Sequence, residues 1–498
     1  MKDQSDIFII GGGVNGTAIA ADAAGRGLSV TLCEKNDLAS GTSSACSKLI
    51  HGGLRYLEFY EFGLVRSALR EREILLRRAP HLISPLEFVL PHTKHTRPAW
   101  LIRLGLFFYD HLARRRYLPR SKTLDLHNTL YGASLSPELQ RGFSYFDCFV
   151  DDARLVIANA LSAHHHGAAI LTRTTFLSAQ RENAVWKIEL QDTLSKKIFH
   201  HYAKMLINVG GPWVKQIQNK IIATDLTFDI ELDKGSHIVV PKIYEGDFAY
   251  ILQNEDNRVV FAIPFLEKFT LIGTTDVHLS ENPETSNITP EEEDYLCKAM
   301  NGYFKKSIGK TDIIWSFAGV RCLQASAGGN TSTITRDYKL LIEDKNNAPL
   351  LTVIGGKFTT HRTLAEQAVS KLQPYFPSMR GAWTATKPLP GGDFPESNFT
   401  DFLQRLKQDF PWLPSDIATH YAKNYGTQAY LFLASANNLS DLGQSFSDVL
   451  YEKEVDYLIQ HEWARTAEDI LWRRTKLGLF FSREEEEKLR KFLGQRGC

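Results

Sequence analysis

Gly11, Gly13 and Gly16 stand in the spacing GxGxxG, with Val14 and Asn15 between the last two and Glu34 further on. Residues of these types at these distances can hold the pyrophosphate of a dinucleotide. The first glycine permits a tight turn, the second lets phosphate reach the backbone, and the third lets helix and strand pack closely. Phosphate oxygens then face free N–H groups at a helix start, where the dipole favours anions. Glu34, near the usual distance of ~20 residues, can accept ribose hydroxyls and repels a 2′-phosphate, which disfavours NADP. A purely structural glycine turn is the plain alternative. It is the weaker one, because every flanking element is in order.

Those elements are legible in the pattern around the glycines. Residues 7–10 are apolar and mostly β-branched, 17–25 are Ala-rich and end at glycine, and 28–33 read as a second strand. Strand, turn, helix and strand within about 30 residues is the spacing of a βαβ unit. A helical pattern rich in Arg and Glu covers 58–78. From 170 to 275, short β-type runs such as 238–240, 258–263 and 269–272 alternate with polar turns, predicting an antiparallel sheet. Strand signals return at 350–354, followed by Gly355-Gly356 and a helical run over 363–372. Beyond Pro388-Leu389-Pro390-Gly391-Gly392, the expected linker, the pattern is helical. Ser482 with Glu485 predicts a capping box that opens a last helix running through Leu493.

The glycine unit alone does not separate FAD from NAD. The segment 42–54 begins to, in favour of FAD: Thr42, Ser43, Ser47, Lys48, Gly52 and Gly53 suit a loop laid along an extended dinucleotide. A Ser/Gly surface loop has the same composition.

Bulk properties narrow the class. The 498 residues suffice for two or three domains, and 43% hydrophobic with 23% charged is ordinary globular composition. With 58 Lys plus Arg against 57 Asp plus Glu, the charge is +1, so no nucleic-acid partner is expected. The six cysteines form no CxxC pair; neither a metal site nor a thiol redox motif is expected, and a reducing compartment is. No secretory signal and no membrane-spanning helix are expected. Residues 100–116 form an amphipathic wheel, with Leu101, Leu104, Gly105, Phe108 and Leu112 on one face and Arg103, Asp110 and Arg114 opposite. Arg115, Arg116 and Arg120 follow. This suits either a helix lying in lipid headgroups or a core-packing helix with a basic end.

Across its whole length the chain resembles the FAD-dependent, aerobic (respiratory) glycerol-3-phosphate dehydrogenases. The matching blocks begin with Ile9-Ile10-Gly11-Gly12-Gly13 and Ser47-Lys48-Leu49-Ile50-His51-Gly52-Gly53-Leu54-Arg55-Tyr56-Leu57. They continue through Asp151-Asp152-Ala153-Arg154-Leu155, Gly211-Pro212-Trp213, Lys234-Gly235-Ser236-His237 and Gly273-Thr274-Thr275-Asp276. Then come Gly319-Val320-Arg321, Thr335-Arg336-Asp337-Tyr338, Gly355-Gly356-Lys357, His461-Glu462-Trp463 and Leu471-Trp472-Arg473-Arg474-Thr475. The expected fold is α/β. A discontinuous Rossmann-like FAD-binding domain takes 1–60, 145–215 and 319–385. An antiparallel-sheet substrate (cap) domain takes 61–144 and 216–318, and an all-helical C-terminal domain takes 393–498.

The resemblance implies a reaction, oxidation of sn-glycerol 3-phosphate to dihydroxyacetone phosphate, with hydride passed to FAD and electrons to a membrane quinone. It implies a cytoplasmic protein, peripheral on the inner face of a bacterial cell membrane, and leaves a homodimer open. An amine or amino-acid oxidase of the same flavoprotein fold, and a flavin-binding protein without turnover, are the alternatives. By similarity, Arg55, Tyr56, Arg321 and Arg336 bind substrate, the guanidinium forks suiting a phosphate dianion. His237 is the first choice of general base, because histidine titrates near working pH. Lys357 is its competitor, or else stays charged beside the anionic reduced flavin, and Arg321 completes the catalytic set. Gly355, Gly356, Lys357, Phe358 and Thr359 are expected along the flavin's carbonyl edge, and Gly210 on the cofactor surface. Two departures stand out. Asn208-Val209-Gly210-Gly211 precedes Pro212 where the family has Ala-Thr-Gly, and Cys322 replaces a proline, which predicts a looser loop around Arg321.

Overall fold

A computed structural model describes residues 3–279, 283–285, 287–324, 337–344 and 348–497. The chain begins as the expected βαβ unit: strand Gln4–Ile10, helix Val14–Gly25 and strand Val30–Cys33, with the two strands parallel. The helix is rich in alanine for a packing reason. It is wedged against the sheet and between helices Asp152–His165 and His361–Ser370, and Ala18, Ala20, Ala21 and Ala24 let all three approach.

Around it lies an eight-stranded sheet. Its parallel centre runs Leu350–Ile354, Ile198–Asn208, Gln4–Ile10, Val30–Cys33, Ala169–Leu171. Strand Lys339–Glu343 adds antiparallel at one edge, and Thr174–Glu182 with Val185–Asp192 form an antiparallel extension beside Ile198–Asn208. Continuous burial of Ile7–Ile10 and Leu350–Ile354 matches a sheet covered on both faces.

The second sheet has ten strands and is antiparallel except where Phe248–Gln253 pairs parallel with Ile83–Pro91. Near one edge, strand Ile230–Pro241 is flanked by Phe269–Gly273 and by the edge strand Trp315–Gln324. The sheet also claims Leu49–Ile50 and the whole of Arg141–Val150. The boundaries expected at 145 and 319 therefore fall inside strands of this sheet, and Leu49–Ile50, expected in the nucleotide domain, pairs with it. The chain crosses between the two sheets along strands, and local pattern carries no mark of that.

The C-terminal part is helical, as expected, with helices Phe399–Asp409, Ser415–Tyr425, Glu452–His461 and Arg483–Gln495 around Leu406, Ile417, Tyr421, Leu458 and Leu489. The last helix opens at Ser482 with the predicted capping box to Glu485. Buried ion pairs clamp this part to the nucleotide fold: Arg154 forks onto Glu462, and Arg474 onto Asp37 at 2.7 and 2.8 Å. Such pairs are weak evidence of net stability, but removing one partner strands a buried charge and costs about 3–5 kcal/mol.

The amphipathic segment is a helix, Ala99–His111, shorter than the expected 100–116. Its faces are also assigned differently. Asp110, expected on the polar outer side, is buried, pairs with Arg115 and accepts the Ser121 N–H and hydroxyl at 3.0 and 2.7 Å. The buried side is Leu106, Tyr109 and Asp110, while Trp100, Leu104, Phe107 and Phe108 are exposed. Among the described residues, no helix is long and apolar enough to cross a membrane.

Candidate active site

The glycine turn is forced by close approach. A Cβ at Gly16 would lie 1.9 Å from the Gly11 carbonyl oxygen, and one at Gly11, whose φ is +120°, would lie 2.6 Å from the Val209 oxygen. Gly13 caps the helix with no side-chain acceptor. The Val14 N–H donates to Ser43 Oγ at 3.0 Å, so the loop following Glu34 is tied to the helix start. Glu34 accepts the N–H of Gly12 at 2.8 Å and of Asn36 at 3.0 Å. Burial pushes its carboxyl upward against the pull of those two donors.

The fit of a dinucleotide can be judged from these atoms. Asn15 Nδ2 donates to the Gly355 carbonyl at 3.3 Å, while its Oδ1 is buried with no hydrogen-bond partner among the described residues. Gly355 and Gly356 have φ of +75° and +106°, and a Cβ on Gly356 would meet Asn15. A helix start free of acidic side chains, an orphaned amide oxygen and a glycine pair facing it make a cradle for an anionic, donor-bearing ligand. FAD suits that chemistry.

The remaining segments meet on this cradle. Thr42 donates to the Val320 carbonyl at 2.6 Å, laying the 42–48 loop on strand Trp315–Gln324, and a Cβ at Gly319 would lie 2.4 Å from the Ala45 oxygen. The Gly52 N–H meets Tyr109 Oη at 2.8 Å and Asp147 at 3.3 Å, and Gly53 takes φ +77°. The His51 N–H donates to Thr359 Oγ1 at 3.2 Å, which joins the glycine pair's downstream turn to this loop. Phe358 is half-buried beside it. The Gly210 N–H donates to Asn208 Oδ1 at 3.3 Å, and Asn208 Nδ2 bonds the Val214 carbonyl at 2.9 Å. The departure at Asn208 thus supplies a buried clamp for the turn before Pro212.

Lys48, expected along the cofactor, commits its ammonium to a buried ion pair. Its ammonium is fully buried, 2.7 Å from Asp152 and 3.1 Å from the Ser44 carbonyl. The pairing partner is 104 residues away, beyond the reach of local pattern.

His237 lies on strand Ile230–Pro241, opposite Phe317 and Gly273. Its ring stacks on Phe317 at 4.9 Å and 13°, and Nε2 is 2.9 Å from Ser47 Oγ. Nδ1 is buried with no partner among the described residues. Burial, with Lys48 and Arg321 adding to it, pulls the imidazole down to about 3, so it is neutral at working pH. Register puts Asp233, Gly235 and His237 opposite Arg321, Gly319 and Phe317, all on one face of the sheet. Gly235 and Gly319 stand between the imidazole and the guanidinium in this register, and a Cβ on Gly235 would lie 2.4 Å from Thr274 Oγ1 and 3.0 Å from Arg321 Nη2.

Arg321 Nη2 lies 3.3 Å from Asp276 and 3.5 Å from the Thr275 carbonyl. It sits on a strand, not in a loop, and neighbouring Cys322 packs with Val214 and Ile354. The expected loosening is overturned: strand pairing to Asp233 and Leu232 holds both residues without a proline. Lys357 Nζ lies 3.7 Å from the Tyr56 ring centroid, and Arg55 beside it is exposed. Arg336 lies outside the described residues. Sequence reading missed Phe317, and it missed Glu292, whose carboxylate takes Lys234 at 2.8 Å, Ser236 at 2.9 Å and Thr275 at 2.7 Å. Lys234 and Ser236 adjoin His237 in its own block, the one signal that could have pointed there.

Residues 6–343 match the FAD dependent oxidoreductase family, and 382–493 match the C-terminal domain of alpha-glycerophosphate oxidase. A glycerol-3-phosphate dehydrogenase of Pseudomonas aeruginosa is 50% identical over 99% of this chain and 96% of its own. The aerobic glycerol-3-phosphate dehydrogenase of Escherichia coli is 49% identical over 99% and 97%. A D-erythritol 1-phosphate dehydrogenase of Brucella abortus is 48% identical over 97% and 96%. The solved glycerol-3-phosphate dehydrogenase of Bacillus halodurans, complexed with FAD, superposes with a TM-score of 0.78 at 26% identity, covering 99% of this chain and 94% of that one. The chain belongs to the FAD-dependent oxidoreductases, an enzyme family whose cofactor fold it carries together with a C-terminal domain of the alpha-glycerophosphate oxidase type.

Proposed function

We propose that the chain oxidises the secondary alcohol of a phosphorylated polyol, sn-glycerol 3-phosphate first, and passes the electrons to a membrane quinone. FAD, when bound, accepts the hydride that leaves the substrate carbon. One observation carries the reading: His237 and Arg321 share a face of two paired strands, with the Gly235–Gly319 pair at the register position between them. The guanidinium takes the phosphate, and the neutral imidazole takes the alcohol proton. An imidazole held near 3 by burial and two cations is a poor base by itself. A phosphate dianion arriving at Arg321 offsets part of that field and raises its basicity, so that substrate helps to prepare its own base. Arg55, Tyr56 and Arg336 complete the substrate set, and Lys357 holds positive charge at the glycine pair.

The Brucella abortus relative, nearly as similar as the two named for glycerol 3-phosphate, favours a second reading in which a four-carbon polyol phosphate is the substrate. Anaerobic mixing of the FAD-loaded protein with each phosphate, and with a panel of amino acids, decides. Bleaching of the oxidised flavin band by glycerol 3-phosphate at the lowest concentration supports the first reading. Preference for D-erythritol 1-phosphate supports the second, and bleaching by amino acids alone removes both.

Quinone chemistry needs a surface at the bilayer. Trp100, Leu104, Phe107 and Phe108 are exposed beside Tyr60 and Phe62, with Phe62 and Phe108 6.1 Å apart. Exposure of 82% at Tyr60 and 68% at Trp100 is unusual for aromatic side chains facing water. Lys94, Arg97, Arg103, Arg114 and Arg116 are close in sequence, as a peripheral contact with anionic lipid on the cytoplasmic face requires.

A further inference from the structure

The C-terminal domain sends one segment to the wall of the site. Trp472 and Lys476 stand on it, and two chains of contact run from them toward His237. The first is aromatic. Trp472 lies 4.6 Å from Trp315, Trp315 lies 4.7 Å from Phe317, and Phe317 stacks on His237. A Cβ at Gly478 would come within 2.5 Å of the Trp472 ring, so the glycine leaves that ring its place. The second chain is ionic. Lys476 pairs with Asp151 and lies 3.4 Å from Asp152, which holds Lys48 at 2.7 Å. Lys48 Nζ in turn sits 5.0 Å over the Phe317 ring and fastens the Ser44 carbonyl in the loop that carries Ser47. Ser47 is hydrogen-bonded to His237.

Both chains end at the same imidazole, from below through Phe317 and from the side through Ser47. Lys48, Asp152 and Lys476 are all buried, so their charges act on the site without screening by water. The domain's other clamps, the side chains of Arg154 with Glu462 and Arg474 with Asp37, hold it to the nucleotide fold.

We propose that Trp472 and Lys476 are positioning residues for the reaction: through Phe317 and Lys48 they fix the plane and the electrostatic surroundings of His237, which makes the C-terminal domain part of the catalytic apparatus. The inference rests on the role given to His237 above. Neither residue touches the reacting atoms.

The test uses FAD-loaded Trp472→Leu, Lys476→Met and Glu462→Gln proteins, each checked for flavin content and far-UV circular dichroism. Flavin bleaching by glycerol 3-phosphate is followed anaerobically across pH. The first two variants should slow bleaching at saturating substrate by about tenfold or more, because a small displacement of a reacting group is that costly. Half-saturation should stay near the parent value while the rate–pH curve moves, and Trp472→Phe and Lys476→Arg should restore most of the rate. Glu462→Gln, a weakened clamp alone, should lower thermal stability with the parent rate retained. Folded Trp472→Leu and Lys476→Met proteins with parent rate and pH profile would overturn the proposal, as would an equal slowing in Glu462→Gln. Should Lys476→Met fail to fold, Trp472→Leu, which disturbs no charge, decides alone. A parent protein that glycerol 3-phosphate does not bleach refutes the polyol-phosphate reading itself; a parent that bleaches alongside unaffected variants refutes only the positioning role.

Discussion

Glu34→Gln isolates what the carboxylate does for the glycine turn. Its two oxygens accept the Gly12 and Asn36 N–H groups at 2.8 and 3.0 Å, the first bond part-buried and the second open to solvent. A hydrogen bond to a charged acceptor contributes about 1.5–3 kcal/mol. Glutamine keeps one acceptor oxygen and turns an NH₂ toward the other donor, so one such bond is lost and the second is weakened to a neutral one. If the loss falls on the cofactor-bound state, FAD affinity drops by about 10- to 150-fold. If it falls on the turn in both states, the flavin-free protein loses the same stability and the affinity moves little. Titration of the flavin-free protein with FAD, followed by flavin fluorescence, measures the first quantity; urea unfolding of the same sample measures the second. The reasoning is wrong if both are unchanged, since a carboxylate that accepts two backbone N–H groups cannot be replaced at no cost.

Three further expectations follow from the same geometry. Arg321→Ala should raise the half-saturating concentration of glycerol 3-phosphate steeply, by about 10-fold or more for one lost charge-assisted contact, with FAD content unchanged; steady-state kinetics at parent values would take Arg321 out of the phosphate site. Burial pulls the imidazoles of His81, His237 and His361 down to about 3 and that of His201 to about 4. Below an unfolded value near 6.5 the unfolded chain binds protons there and the folded chain does not, so their contribution to stability is full above about pH 6.5 and shrinks as pH falls. At pH 5 each such histidine opposes folding by about 2 kcal/mol. Melting temperature should drop from pH 7 to 5, and a rise would contradict the burial of these rings. Replacing Phe107 and Phe108 by serine should weaken binding to vesicles of anionic phospholipid, read by sedimentation, without lowering thermal stability; equal binding would place the membrane contact elsewhere.

The nucleotide fold was readable because everything that defines it is local. Gly11, Gly16 and Glu34 fall within one βαβ unit, and the Ser482–Glu485 cap lies within one turn. What escaped depends on which partner each side chain takes after folding, whether a few residues on or far along the chain. Asp110 reads as a solvated charge on a helical wheel until Arg115 and Ser121 fold over it. The Lys48 ammonium is claimed by Asp152, far along the chain. Cys322 reads as a missing loop proline, and the pairing of its strand with Ile230–Pro241 makes the proline unnecessary. His237 was singled out by its block, yet nothing local announces the Phe317 ring beneath it or the tryptophan of the C-terminal domain beyond.

The most direct measurement is an anaerobic visible spectrum of the purified protein, before and after sn-glycerol 3-phosphate. The account requires a yellow protein whose flavin absorption disappears on adding the phosphate and returns on adding a quinone analogue. A colourless protein that takes up no FAD, or a flavin band indifferent to every polyol phosphate, would contradict it.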